Sequence, residues 1–144
     1  MVFPVAEMVF KVGTKGLGSQ ESDMAVVREM ETLTIAVDNG IEEWTPLSAK
    51  GWKNRMVTTK GLTITLSGKR HFGDKGNDYV AGLAFANGND TCTKIRVEFP
   101  NGDNMEMDCI ISVTSPSGGE STAVNTLEFE CLSTGVPFYT EANA

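Results

Sequence analysis

The sequence predicts a mainly β domain, a sandwich or barrel of about seven strands flanked by one α-helix. Three observations carry this expectation. Stretches with strict two-residue alternation recur along the chain, as where Leu62, Ile64 and Leu66 alternate with Thr63, Thr65 and Ser67. Clusters of Gly, Pro, Asn and Asp separate these stretches and read as turns. Only the segment 77–86 spaces its apolar residues as a helix does, with Val80, Leu83 and Ala84 at i, i+3 and i+4. A chain of 144 residues, 40% hydrophobic and 22% charged, is expected to form a single domain over 1–144 with one core.

Residues 1–7 read as an arm, because Pro4 interrupts any regular element. Met8, Phe10 and Val12 then alternate with Val9 and Lys11 as a first strand. Gly13 to Asp23 is rich in glycine and small polar residues and reads as a loop. Met24 to Glu31 fits a strand or a short helix equally well. Leu33, Ile35 and Val37 form the next strand, and Asp38-Asn39-Gly40 is a hairpin signal, since Asn and Gly accept positive φ. The return segment, approximately 41–56, is the least regular long piece, and it holds both tryptophans, Trp44 and Trp52. A long loop of this kind is expected to pack on something: either the rings cover the domain's own core, or they anchor a contact with another subunit.

The strand that begins at Gly61 ends where Gly73, Asp74 and Gly76 break the alternation. Asn77 is the expected N-cap of the helix, Asp78 puts a negative charge in its first turn, and Asn87-Gly88 stops it. Three more strands follow, centred on Ile95–Phe99, Met105–Val113 and Leu127–Cys131, with a turn at Pro100–Asp103. The hairpin of the first two is expected to bring basic residues of one strand near acidic residues of the other. Residues 133–144 return to Gly, Pro and small polar residues, a second arm. Several strands carry hydroxyls or carboxylates on their second face, so that face is wet or lines an aqueous space.

The net charge of −7 argues against broad capture of DNA or anionic membrane, yet suits a surface past which nucleic acid slides. There is no apolar run long enough to span a bilayer and no secretory leader pattern at the N-terminus. Cys92, Cys109 and Cys131 lack metal-ligand spacing and read as reduced, buried or half-buried thiols of a protein made in the cytoplasm. His71, the only histidine, has no nucleophile or acid placed by spacing to form a triad. Gly73–Asn77 lacks the spacing of a phosphate loop, and Asp74, Asn77 and Asp78 lack that of an EF-hand loop. No enzyme, cofactor or metal site is expected.

Trp44, Gly51-Trp52, Lys60-Gly61, Leu66-Ser67-Gly68-Lys69-Arg70, Gly73-Asp74 and Gly76-Asn77-Asp78-Tyr79-Val80, in that order and spacing, resemble the major tail tube proteins of long-tailed bacteriophages. The resemblance extends over nearly the whole chain and is sharpest over 44–86. The family is related to the tubes of contractile tails, tailocins and type VI secretion. It implies a β-sandwich flanked by one helix whose subunits stack as hexameric rings into a hollow tube that conducts DNA. It further implies a non-enzymatic virion component, made in the host cytoplasm. Its expected partners are further copies of itself, tail-tip or baseplate and tape-measure proteins, and DNA in passage, with no membrane. By resemblance, the loop over 41–56 and the arms 1–7 and 133–144 bridge successive rings. The loop residues singled out are Ile41, Glu42, Glu43, Trp44, Lys50, Trp52, Lys53 and Arg55. A negative lumen would repel phosphate. Asp38, Glu106 and Asp108 are the candidate lumen-facing acids, with Glu29 and Glu31 as further candidates.

Two other readings stay open at the level of sequence. One is a tube subunit of a contractile tail or tailocin. The other, from a different class, is a monomeric β-sandwich module that binds glycan or peptide through exposed Trp44, Trp52 or Tyr79.

Overall fold

Among the described residues, alternation along the chain becomes eight antiparallel strands in one sheet. The computed structural model describes residues 1–142. The strands are β1 (Val9–Gly13), β2 (Met24–Val26), β3 (Met30–Trp44), β4 (Asn54–Lys69), β5 (Cys92–Glu98), β6 (Asn104–Ser115), β7 (Thr126–Ser133) and β8 (Phe138–Thr140). Among the described residues one α-helix, α1 (Lys75–Gly82), lies between β4 and β5. The sheet order is β2-β1-β5-β6-β7-β4-β3, and β8 pairs with β6 beyond the end of β7.

The connectivity forces this sheet to roll. β2 and β3 are its two edges, yet only residues 27–29 join them. That link spans at most about 15 Å, at ~3.8 Å per Cα step. Seven strands laid flat would be ~29 Å across, at ~4.8 Å spacing. The edges therefore curl toward each other without closing into a barrel. Consistent with the curl, Phe10 on β1 and Phe129 on β7 bring their rings to 6.0 Å although β5 and β6 lie between their strands. The inside of the roll is the core. Val12, Ile64, Leu66, Ile95, Val97, Leu127 and Phe129 are fully buried there, and the alternate residues of the same strands face outward.

Helix α1 covers the open seam. Gly76 makes the close approach possible, since a Cβ at this position would meet the Val26 carbonyl oxygen at 2.4 Å. The helix begins two residues before the expected Asn77, because Asp74 is the cap: its carboxylate accepts from the Asn77 N–H at 3.0 Å. The α-helical run stops at Gly82, and a 3-10 turn, Leu83–Phe85, continues it toward the expected end at 86. The side chain of Asn77 is buried and fully used. Its oxygen accepts from Arg70 and from the His71 N–H, and its nitrogen donates to the carbonyls of Arg28 and Lys69.

The ambiguous segment 24–31 resolves into β2, the link and the start of β3. The hairpin signal at Asp38-Asn39-Gly40 is not a turn. These residues lie within β3, opposite Gly61, Lys60 and Thr59 of β4, and a register shift falls between Gly40 and Ile41. The glycine serves a β-bulge: a Cβ on Gly40 would meet Thr59 Oγ1 at 1.9 Å. The loop expected over 41–56 is accordingly shorter. Ile41–Trp44 pair with Asn54–Val57, and the chain turns only between Trp44 and Asn54. Positive φ at Lys50 and Gly51 and a 3-10 turn at Leu47–Ala49 make that reversal.

Candidate assembly surfaces

β4 pairs with β7 only from Thr63 to Lys69. Asn54–Leu62 and the facing part of β3 therefore leave the sheet as a two-stranded ribbon, nine residues of β4 long, or ~30 Å at ~3.3 Å per residue. An isolated two-stranded ribbon is marginally stable in water. This one also exposes apolar groups on both faces. Ile41 lies opposite Val57 on one face, while Trp44 and Met56 share the other. At the tip Leu47 is fully exposed and Trp52 is 80% exposed; Trp44 is 44% exposed. Neither tryptophan belongs to the core. Glu43 receives Lys53 at 3.3 Å and Arg55 at 2.9 Å, which clamps the tip across the ribbon. Glu42 and Lys50 are exposed beside them.

Both arms follow the body of the domain at the end from which the ribbon departs. The register places β8 beside residues 104–106 of β6, in the direction β7 takes toward the base of the ribbon. Tyr139 donates its hydroxyl to Asp103 at 2.6 Å, and the Ala142 N–H donates to the same carboxylate at 3.0 Å. The Tyr139 bond is the larger influence holding Asp103 below the usual carboxylate range. Phe3 and Tyr139 pack against Phe99 from the two arms, with ring centroids at 6.5 and 6.0 Å. The expected arms are thus a short 3-10 turn (Val5–Glu7) with an anchored Phe3, and a strand with its flanks, residues 143–144 of the second arm lying outside the described residues.

The outer face of the roll separates into two electrostatic halves. On the β1–β5–β6 side acids and bases alternate across strands, as the sequence leads one to expect. Lys11 pairs with Glu98 at 2.8 Å, and Lys94 approaches Asp108 at 3.9 Å. Arg96 is held between Glu21, from the loop before β2, and Glu106 at 2.5 Å. Its hydrogen bond to Glu21, and then that to Glu106, push the guanidinium further up. The same bond to Arg96 holds Glu21 below its ordinary range. Two of the three candidate lumen acids, Glu106 and Asp108, are thereby partnered by cations. Asp38 stands apart on β3, accepting from the Thr63 hydroxyl at 2.9 Å. Glu29 and Glu31 lie at the seam, beside His71 (3.8 Å) and Lys69 (3.0 Å).

The β7–β4–β3 half is different. Glu130 on β7 lies between Thr65 and Ser112 on neighbouring strands, and Thr34 follows beyond Thr65. Glu128 faces Ser67, whose hydroxyl meets that of Thr32 at 2.6 Å. No ion pair to Glu128, Glu130 or Asp38 occurs among the described residues. Sequence reasoning passed over Glu128 and Glu130, although the alternation with Leu127, Phe129 and Cys131 already put them on the outward face.

The remaining chemistry-bearing residues have structural partners. Asp78 accepts from Arg70 at 2.7 Å and from the Gly73 N–H at 3.1 Å. Cys109 and Cys131 are buried, and burial pushes the Cys131 thiol well up. No cluster of three or more metal-ligating side chains occurs among the described residues, and no helix there is long and apolar enough to cross a membrane.

The chain superimposes on a chain of the tail of an empty gene transfer agent particle, refined helically with C6 symmetry, with a TM-score of 0.77. The match covers 96% of this chain and 99% of the other, at 15% identity. A chain of the native gene transfer agent virion matches with a TM-score of 0.72 and 14% identity, over 96% and 99% of the two chains. At such identity the likeness is one of fold. No protein-family model and no curated protein matches the sequence.

Proposed function

We propose that this chain is a structural tail protein, the subunit of a hollow tube built by stacking hexameric rings, without catalytic activity of its own. The observation that carries this reading is the ribbon: ~30 Å of paired strand that leaves the core and exposes apolar side chains on both faces. Such a surface on a monomer is an aggregation liability, and a repeating partner removes it. The shared fold with the gene transfer agent tail, itself C6-symmetric, supports the same conclusion. In this reading the protein is made in the host cytoplasm and resides in the virion tail. There it meets tail-tip or baseplate and tape-measure proteins at its ends.

The lumen is assigned to the outer face of β7, β4 and β3. That face carries hydroxyls and the carboxylates of Glu128, Glu130 and Asp38, none of them in an ion pair among the described residues, while its Lys69 is engaged by Glu31. Uncompensated negative charge on a hydroxylated wall repels phosphate, so DNA passes without sticking. Glu106 and Asp108 contribute less, because Arg96 and Lys94 offset them.

Sedimentation over a concentration series tests the proposal, with the intact chain compared to one in which residues 46–52 are replaced by Asn-Gly. The intact protein is expected to form large species as concentration rises, and the shortened one to stay at monomer size. Identical monomer sedimentation for both would count against it.

A further inference from the structure

A cleft of about 260 Å³ opens at the base of the ribbon, between β3–β4 and the connection from β7 to β8, lined by Val37, Lys60, Leu62, Ser133, Gly135 and Pro137. It is smaller than most small-molecule pockets, which run from roughly 300 to 1,000 Å³, and is matched instead to one or two side chains. We infer that this cleft receives the Pro46–Trp52 tip of a second copy of the chain, led by Leu47. The inference rests on the proposed tail-protein reading and names the partner of its ribbon.

Three features of the molecule point to that occupant. The tip is the complementary shape: a projecting turn whose foremost side chains are apolar and exposed. It is also preorganised, with the Ala49 N–H donating to the Pro46 carbonyl and the Trp52 N–H to the Ala49 carbonyl, both at 3.1 Å, so docking orders little further. Within one chain the tip and cleft cannot meet, because ~30 Å of continuous strand pairing holds them apart. A projection and a recess at opposite ends of one ribbon make a heterologous contact, which propagates head to tail instead of closing into a dimer.

Disulfide trapping between two singly substituted proteins tests the inference. Leu47→Cys is mixed with Pro137→Cys, concentrated and oxidised mildly. In parallel Leu47→Cys is mixed with Val124→Cys, whose exposed position in the β6–β7 connection lies at the other end of the sheet. The native thiols Cys109 and Cys131 are buried, and the parent protein controls for the half-buried Cys92. The expected result is about tenfold more covalent dimer with Pro137→Cys, since bridging requires Cα atoms within ~7 Å. Equal yields, or more dimer with Val124→Cys, overturn it. Electron microscopy of the parent protein separates the two readings. Tubes without selective trapping remove only the tip-in-cleft contact, and neither tubes nor trapping removes both.

Discussion

The guanidinium of Arg70 donates to the carboxamide oxygen of Asn77 at 2.9 Å, beneath the seam where the two edges of the sheet approach each other. Asn77 simultaneously holds Arg28, Lys69 and His71, so one buried side chain ties the β2–β3 link, the end of β4 and the helix together. Arg70 is fixed in turn by Asp78 at 2.7 Å and by the face of Phe72, 4.0 Å from the ring centroid.

Asn77→Asp keeps the shape but replaces the two N–H donors to Arg28 and Lys69 with an acceptor. Leaving two part-buried carbonyls without this donor costs up to ~1–3 kcal/mol each, so the variant is expected to lose about 2 kcal/mol in urea unfolding. A change below about 0.5 kcal/mol, the range of ordinary surface substitutions, would show that the seam does not depend on this residue.

Gly40→Val should separate folding from assembly. Its Cβ would collide with the Thr59 hydroxyl, and the bulge would have to give way. Because Gly40 lies in the ribbon, outside the region where β4 pairs with β7, thermal unfolding of the monomer should change little. Formation of large species, read by light scattering, should fall sharply. Unchanged scattering would mean the ribbon's course is not used in assembly.

Acid should weaken the fold through carboxylates that favour their charged form in the native state. Asp78 is held below its ordinary 3.8 mainly by Arg70, and Asp23 below the same value mainly by the Gln20 N–H. A depressed native pKa contributes stability that is fully present above the unfolded-state value and is lost as pH falls through the native one. Stability is therefore expected to hold from neutrality down to about pH 4 and to decline below it. Asp78→Asn should make that decline shallower in urea midpoints measured from pH 6 to pH 2. An equally steep decline in the variant would place the acid sensitivity elsewhere.

Glu128→Lys and Glu130→Lys reverse charge on the proposed lumen wall without touching the core, since both side chains point away from Phe129. Assembled tubes of the double variant are expected to retain duplex DNA at low salt and release it as salt rises, as phosphate contacts do. Parent tubes should not retain it. Absence of retention in both would argue that this face does not line a channel.

Much of the fold is legible because the core-facing strands alternate cleanly. Ile64, Leu66, Ile95, Val97, Leu127 and Phe129 are all inward residues that the period of two picks out. The ribbon was hidden for the complementary reason. Beyond Val37 the strands leave the core, so nothing selects alternating apolar residues, and Ile41–Trp44 look irregular although they are fully paired. Asp38-Asn39-Gly40 misleads because the freedom that suits a turn also suits a bulge. β8 is three residues long and follows Pro137, too short for periodicity to register. Among the acids, the pairing that offsets Glu106 and Asp108 depends on register, and so does the isolation of Glu128 and Glu130.

Assembly into a tube is checked by electron microscopy of the purified protein across a concentration series, with rotational analysis of end-on views. Hollow rings or tubes with sixfold symmetry are expected, and their loss when residues 46–52 are replaced. Dispersed monomers at every concentration, including after addition of a tail-tip initiator, would contradict it.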